Sequence, residues 1–145
     1  MKILLINGVN LNMLGTREVE KYGTTTLTDI EDQLVSYAKE KNVTLDTYQS
    51  NYEGALVEKI HQSLGLYDGI IINAGAYTHT SIAIRDALLT VQIPTVEVHI
   101  TNVYKRENFR HHSMLSDVCL GVVAGFGKMS YQMALDGLIT HIQRT

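Results

Sequence analysis

Gly69-Ile70-Ile71-Ile72-Asn73-Ala74-Gly75 is the stretch on which the fold turns. Three consecutive isoleucines favour a strand. They do not alternate with polar residues, so both faces of that strand must be covered. The run stops at Asn-Ala-Gly, where turn-forming residues take over. Working outward, apolar, β-branched runs recur at residues 2–7, 43–49, 94–99 and 118–124. Leu120-Gly121-Val122-Val123 is also continuous and predicts a second doubly covered strand. Helical spacing fills the gaps. Thr28-Asp29-Ile30-Glu31 has the form of a capping box, and Ile30, Leu34, Tyr37 and Ala38 then share one face. Leu56, Ile60 and Leu64 form a second stripe; Ile84, Leu88 and Val91 form a third after Thr80-Ser81. Leu135, Leu138, Ile139 and Ile142 mark a terminal helix.

Five strands alternating with helices imply right-handed βαβ units. The expected class is α/β: a flavodoxin-like three-layer sandwich with a five-stranded parallel sheet. The 145 residues suit one domain spanning 1–145. Net charge is −3 and the isoelectric point is near 6.0, which argues against a broad nucleic-acid footprint. No stretch approaches the ~20 apolar residues of a membrane helix. The opening apolar run meets Asn7-Gly8 too soon to read as a signal peptide. Cys119 is the sole cysteine, so no internal disulfide or cysteine-based zinc site is available. A cytoplasmic setting is expected.

Ligands of open α/β sheets sit beyond the carboxyl ends of the strands. Those ends read Asn7-Gly8-Val9-Asn10, Gln49-Ser50-Asn51, Asn73-Ala74-Gly75, His99 with Thr101-Asn102, and Gly125-Phe126-Gly127. Amides both donate and accept, which suits a neutral polyhydroxylated ligand. The same residues also serve as ordinary turn formers. His99 lies in an apolar strand and reads equally as a hydrogen-bonded core residue. Glu97, two residues earlier, shares its face and can orient the imidazole. Two long connections, 11–26 and 100–116, carry Arg17, Tyr22, Arg106 and Arg110 and read as lids. His79 and Asp86 are seven apart in what reads as one helix, so they are expected on one face. Cys119 reads as an inert buried strand thiol. No phosphate loop, dinucleotide fingerprint or nucleophile elbow is present in the sequence. His111-His112 lacks partners at metal-ligand spacing.

Three ordered motifs now stand together. Residues Asn7-Gly8-Val9-Asn10-Leu11-Asn12-Met13-Leu14-Gly15-Thr16-Arg17-Glu18, followed by Tyr22-Gly23, form the first. Asn73-Ala74-Gly75-Ala76-Tyr77-Thr78-His79-Thr80-Ser81 with Arg85-Asp86-Ala87 forms the second. Glu97-Val98-His99-Ile100-Thr101-Asn102 with Arg106-Glu107 and Phe109-Arg110 forms the third. This arrangement resembles the type II 3-dehydroquinate dehydratases over nearly the whole chain. Val9 stands where that family usually has proline, and Thr101 where serine is common. Neither departure removes a reacting group.

The resemblance implies anti elimination of water from 3-dehydroquinate through an enolate, without a metal or organic cofactor. It implies Tyr22 as general base, Arg17 as the cation beside it, His99 as general acid and Glu97 as its support. It implies that Asn10 organises a water at the enolate oxygen. Asn73 with the backbone of Ile100 and Thr101 would hold the substrate carboxylate, and His79 and Arg110 the ring hydroxyls. Arg106 would belong to the lid, and Asp86 would reach a neighbouring subunit's site in a dodecamer of trimers. The same reaction serves aromatic biosynthesis (the shikimate route) or quinate breakdown. A non-catalytic flavodoxin-like binding module, or an enzyme acting on another polyhydroxylated carboxylate, are the other readings of the same chain.

Overall fold

The computed structural model describes residues 1–16, 20 and 23–145. Arg17 and Tyr22 lie outside the described residues. Five strands form one sheet: β1 Lys2–Asn7, β2 Thr44–Gln49, β3 Gly69–Asn73, β4 Thr95–His99 and β5 Gly121–Ala124. All pairings are parallel, in the order β2-β1-β3-β4-β5. Four α-helices are present among the described residues: α1 Leu27–Glu40, α2 Glu53–Gln62, α3 Ile82–Val91 and α4 Met129–Gln143.

Strand alternation divides the core in two. Ile3, Leu5, Ile71, Val96 and Val98 face α1 and α4, where they meet Leu34, Leu135 and Leu138. Leu4, Ile6, Ile70 and Ile72 face α2 and α3, where they meet Leu56, Ile60, Ile84 and Leu88. The isoleucine run is buried at every position, as a strand covered on both faces requires.

Three sequence expectations shift. Helix α1 starts two residues earlier than the Thr28 box predicts. Thr26 caps it by accepting from the Asp29 N–H, and Asp29 accepts from the Thr26 N–H, both at 3.1 Å. Two overlapping capping frames exist in the sequence, and the earlier one brings Leu27 into the buried stripe. Helix α2 stops at Gln62, so Leu64 is exposed rather than part of its stripe. Strand β5 begins at Gly121, not at 118. Leu115 is buried, and its carbonyl accepts from the Val118 and Cys119 N–H groups, so the chain turns before joining the ladder. Leu120 and Val122 are each 47% exposed, so β5 is covered on one face only. Cys119 therefore ends a short 3₁₀ turn and does not lie in a strand. Its thiol is pushed up to about 12, by burial first and then by the Glu97 and Asp117 carboxylates.

Connections leave β1 and β3 toward opposite sides of the sheet, so the crevice opens between their ends. Asn7 and Asn73 are register partners there. Two glycines let the loops close on each other. A Cβ on Gly8 would fall 2.3 Å from the Ala74 carbonyl oxygen. Gly75 has a φ of 64°, and a Cβ there would meet the Val9 oxygen at 2.7 Å.

Candidate active site

Asn10, Asn73, His79, His99, Ile100, Thr101, Arg106 and Arg110 line one cleft at the carboxyl ends of β1, β3 and β4. Among the described residues that line it are two guanidiniums and no carboxylate. That charge balance suits an anionic ligand.

Strand β4 supplies a buried carboxylate–imidazole pair. Glu97 and His99 lie on the α2–α3 side, because Val96 and Val98 take the other side. His99 Nε2 sits 2.5 Å from Glu97 Oε2. The other carboxylate oxygen accepts from Ser113 Oγ at 3.0 Å and Ser116 Oγ at 2.8 Å. Ser113 Oγ also accepts from the N–H groups of Leu115 and Ser116, which fixes this end of the 100–116 connection. Burial works to raise the Glu97 pKa. The hydrogen bond and charge of His99, with the two serines, outweigh it and hold the carboxyl below its ordinary value. Glu97 is thus an ionised carboxylate, and both of its oxygens accept hydrogen bonds.

His79 does not share a helix with Asp86. It ends the 3₁₀ turn Gly75–His79, while α3 begins at Ile82. Its Nδ1–H donates to the His112 carbonyl at 2.8 Å, because a carbonyl can only accept. Burial, chiefly, lowers its pKa, and the nearby His99 and Arg110 add to the effect. Neutral His79 then turns Nε2 outward as an acceptor. Its ring stacks 6.5 Å from that of His99. Asp86 is exposed on α3 and outside this cleft.

Asn10 sits in the left-handed region at φ 67°, a conformation asparagine tolerates. Its N–H donates to Asn51 Oδ1 at 2.9 Å, and Gln49 Nε2 holds the same oxygen and the Gly8 carbonyl. Arg110 Nε donates to Glu107 Oε1 at 3.0 Å. The Arg106 side chain is only 13% exposed, and its carbonyl accepts from His111 Nε2.

The class II dehydroquinase family model matches residues 1–139. The chain belongs to the class II dehydroquinase family. A 3-dehydroquinate dehydratase of Synechococcus sp. (strain WH7803) is 62% identical over 143 residues, covering 99% of this chain and 97% of the relative. The crystal structure of type II dehydroquinase from Butyrivibrio crossotus DSM 2876 matches with a TM-score of 0.94 at 50% identity, over 96% of this chain and 97% of that one. The type II dehydroquinase from Propionibacterium acnes matches with a TM-score of 0.92 at 41% identity, over 96% of each chain.

Within this dehydroquinase, sequence reading missed Ser113, Ser116 and Tyr131. Ser113-Met114-Leu115-Ser116 carries only an i, i+3 pair of hydroxyls, which nothing local ties to Glu97. Tyr131 Oη contacts both Asn7 and Asn73, at sequence separations of 124 and 58. Among the described residues no helix is long and apolar enough to cross a membrane.

Proposed function

We propose that this dehydroquinase converts 3-dehydroquinate to 3-dehydroshikimate and water by anti elimination through an enolate. The observation that carries the reading is the buried Glu97–His99 pair at the rim of a cationic cleft. Tyr22 takes the proton beside the ketone. A free tyrosine has a pKa near 10, so only about one in a thousand is ionised at neutral pH. Arg17 lowers that pKa by favouring the phenolate, and a close pair of this kind is worth roughly one to three units. Asn10 orders the water that supports the enolate oxygen; preorganised donors of this kind contribute about 3 kcal/mol each.

The enolate then re-forms the ketone, the C1–oxygen bond breaks, and His99 gives its proton to the departing hydroxyl. Glu97 keeps the imidazolium oriented for that step. The proton on Tyr22 returns to His99 through solvent, which closes the cycle. Asn73 with the backbone of Ile100 and Thr101 takes the substrate carboxylate. Neutral His79 accepts from a ring hydroxyl through Nε2, and Arg110 contacts another. Arg106 rides on the 100–116 connection, which closes over the ligand with 11–26 and excludes water. Asp86, exposed and outside its own cleft, serves the site of a neighbouring subunit in a dodecamer of trimers. The enzyme works in the cytoplasm as a step of aromatic biosynthesis.

Purified protein and 3-dehydroquinate alone should generate the absorbance of the conjugated enone. A folded oligomer that gives none, on either side of neutral pH, overturns the assignment. Tyr22→Phe should abolish turnover while leaving ligand affinity largely intact. Retention of wild-type kcat would place the base elsewhere. Light scattering checks the assembly, and a trimer mass alone would contradict the dodecamer.

A further inference from the structure

Among the described residues Tyr131 is the largest fully buried side chain, and no step of the proposed elimination uses it. A buried phenol needs partners for its hydroxyl. Here the hydroxyl lies 2.7 Å from Asn7 Oδ1 and 2.9 Å from Asn73 Nδ2. Asn73 Oδ1 in turn accepts from the Gly75 N–H at 3.1 Å.

The direction of this chain of bonds follows from its backbone end. The Gly75 N–H can only donate, so the Asn73 atom beside it is the carbonyl oxygen. The amide nitrogen of Asn73 therefore faces Tyr131, and the phenol oxygen must accept there. The single phenol proton is left for Asn7. Burial raises the Tyr131 pKa, so the phenol keeps that proton. Asn7 and Asn73 point to the same side because they are register partners on β1 and β3. Tyr131 reaches them from the first turns of α4, which packs on that side. Asn73 lines the cleft, whereas Tyr131 lies behind it.

We infer that Tyr131 is a positioning residue for substrate binding: with Asn7 and Gly75 it locks the Asn73 carboxamide so that an N–H, not a carbonyl oxygen, meets the substrate carboxylate. This rests on the reading that Asn73 holds that carboxylate. A carboxamide rotated by half a turn exchanges its donor for an acceptor, and two acceptors repel. A tyrosine that only filled the core would matter for stability and leave substrate affinity alone.

The test is a double-mutant cycle on the intact oligomer, with 3-dehydroquinate as substrate. Tyr131→Phe should raise KM about tenfold, the size of one hydrogen bond to a charged group, with kcat changed far less. Asn73→Ala should raise KM at least as much. In the double variant Tyr131→Phe should add little, since its effect passes through Asn73. Additive losses, or an unchanged KM in either single variant, overturn the inference.

Asn7→Leu offers an independent route if Tyr131→Phe does not fold. It frees the phenol proton to point at Asn73, so it should raise KM in the same way. An unchanged KM would again overturn the inference. The wild-type enzyme crystallised with 3-dehydroshikimate must also place the ligand carboxylate within hydrogen-bond reach of Asn73 Nδ2. A carboxylate seated elsewhere defeats the inference whatever the variants do. A wild-type protein without turnover defeats the proposed function before any variant is made, so the two failures are separable.

Discussion

The two sides of the sheet meet the cleft with different chemistry. On the α2–α3 side stands a charged network: His99, Glu97 and the hydroxyls of Ser113 and Ser116. On the α1–α4 side stands a neutral one: Gly75 N–H, Asn73, Tyr131 and Asn7. Each has a buried centre, Glu97 and His99 in one and Asn7, Asn73 and Tyr131 in the other, and each draws in a residue from another element. Under the proposed mechanism the difference follows from the task. A group that passes a proton must change charge, and it needs a counter-charge that is already desolvated and oriented. A group that holds a carboxylate through the whole cycle does better with a donor that never titrates. Amides supply that donor, at the cost of needing their orientation fixed from behind.

The largest expected effect separates the two sides outright. His99→Ala should lower kcat by roughly 10²- to 10⁴-fold, the usual worth of a general acid, with KM little changed. A loss expressed mainly in KM would move His99 to the binding side and break the comparison.

Glu97→Gln should also act on kcat, by about 10²-fold, because the imidazolium loses its counter-charge. Steady-state kinetics checks it, and near-wild-type kcat would show that His99 needs no support.

The same variant sharpens the comparison through pH. Glu97 has a lower pKa folded than unfolded. Its contribution to stability is therefore complete above the ordinary glutamate value of about 4.3 and is lost as pH falls through the lower folded value. Denaturant unfolding of the wild type should weaken over that acid window. In Glu97→Gln this part of the slope should vanish, whereas Tyr131→Phe should keep it. An unaltered slope in Glu97→Gln would place the linkage on other carboxyls.

The smallest effect expected is that of Ser113→Ala. One charge-assisted hydrogen bond to Glu97 goes, together with the acceptor for two backbone N–H groups. A loss of about 1–3 kcal/mol in unfolding free energy is expected. A change within experimental scatter would mean that Ser116 alone satisfies Oε1.

Much of the scaffold was legible in advance, for local reasons. The bounds of β1 and β3 follow from apolar runs closed by Asn-Gly and Asn-Ala-Gly, and Ile84, Leu88 and Val91 are buried as their spacing predicts. The cleft also forms where strand-end amides and His99 suggest. The misreadings share a cause. Thr26 rather than Thr28 caps α1, and residues 118–120 leave the β5 run, because packing of Leu27 and Leu115 decided between locally acceptable options. His79 fell in a 3₁₀ turn because Ser81, whose side chain accepts from the Ile84 N–H, is the residue that starts α3.

By itself the sequence determined the alternation of strands and helices, the parallel sheet and the polar residues at its carboxyl edge. Those properties depend on periods of about 2 and 3.6 residues, which neighbouring side chains enforce together. Only the tertiary structure decided that Ser113 and Ser116 would serve Glu97 and that one phenol would stand between two strand-end asparagines. Such pairings depend on strand register and on which helix covers which side of the sheet. No local pattern encodes a hydrogen bond between residues whose proximity the packed layers create.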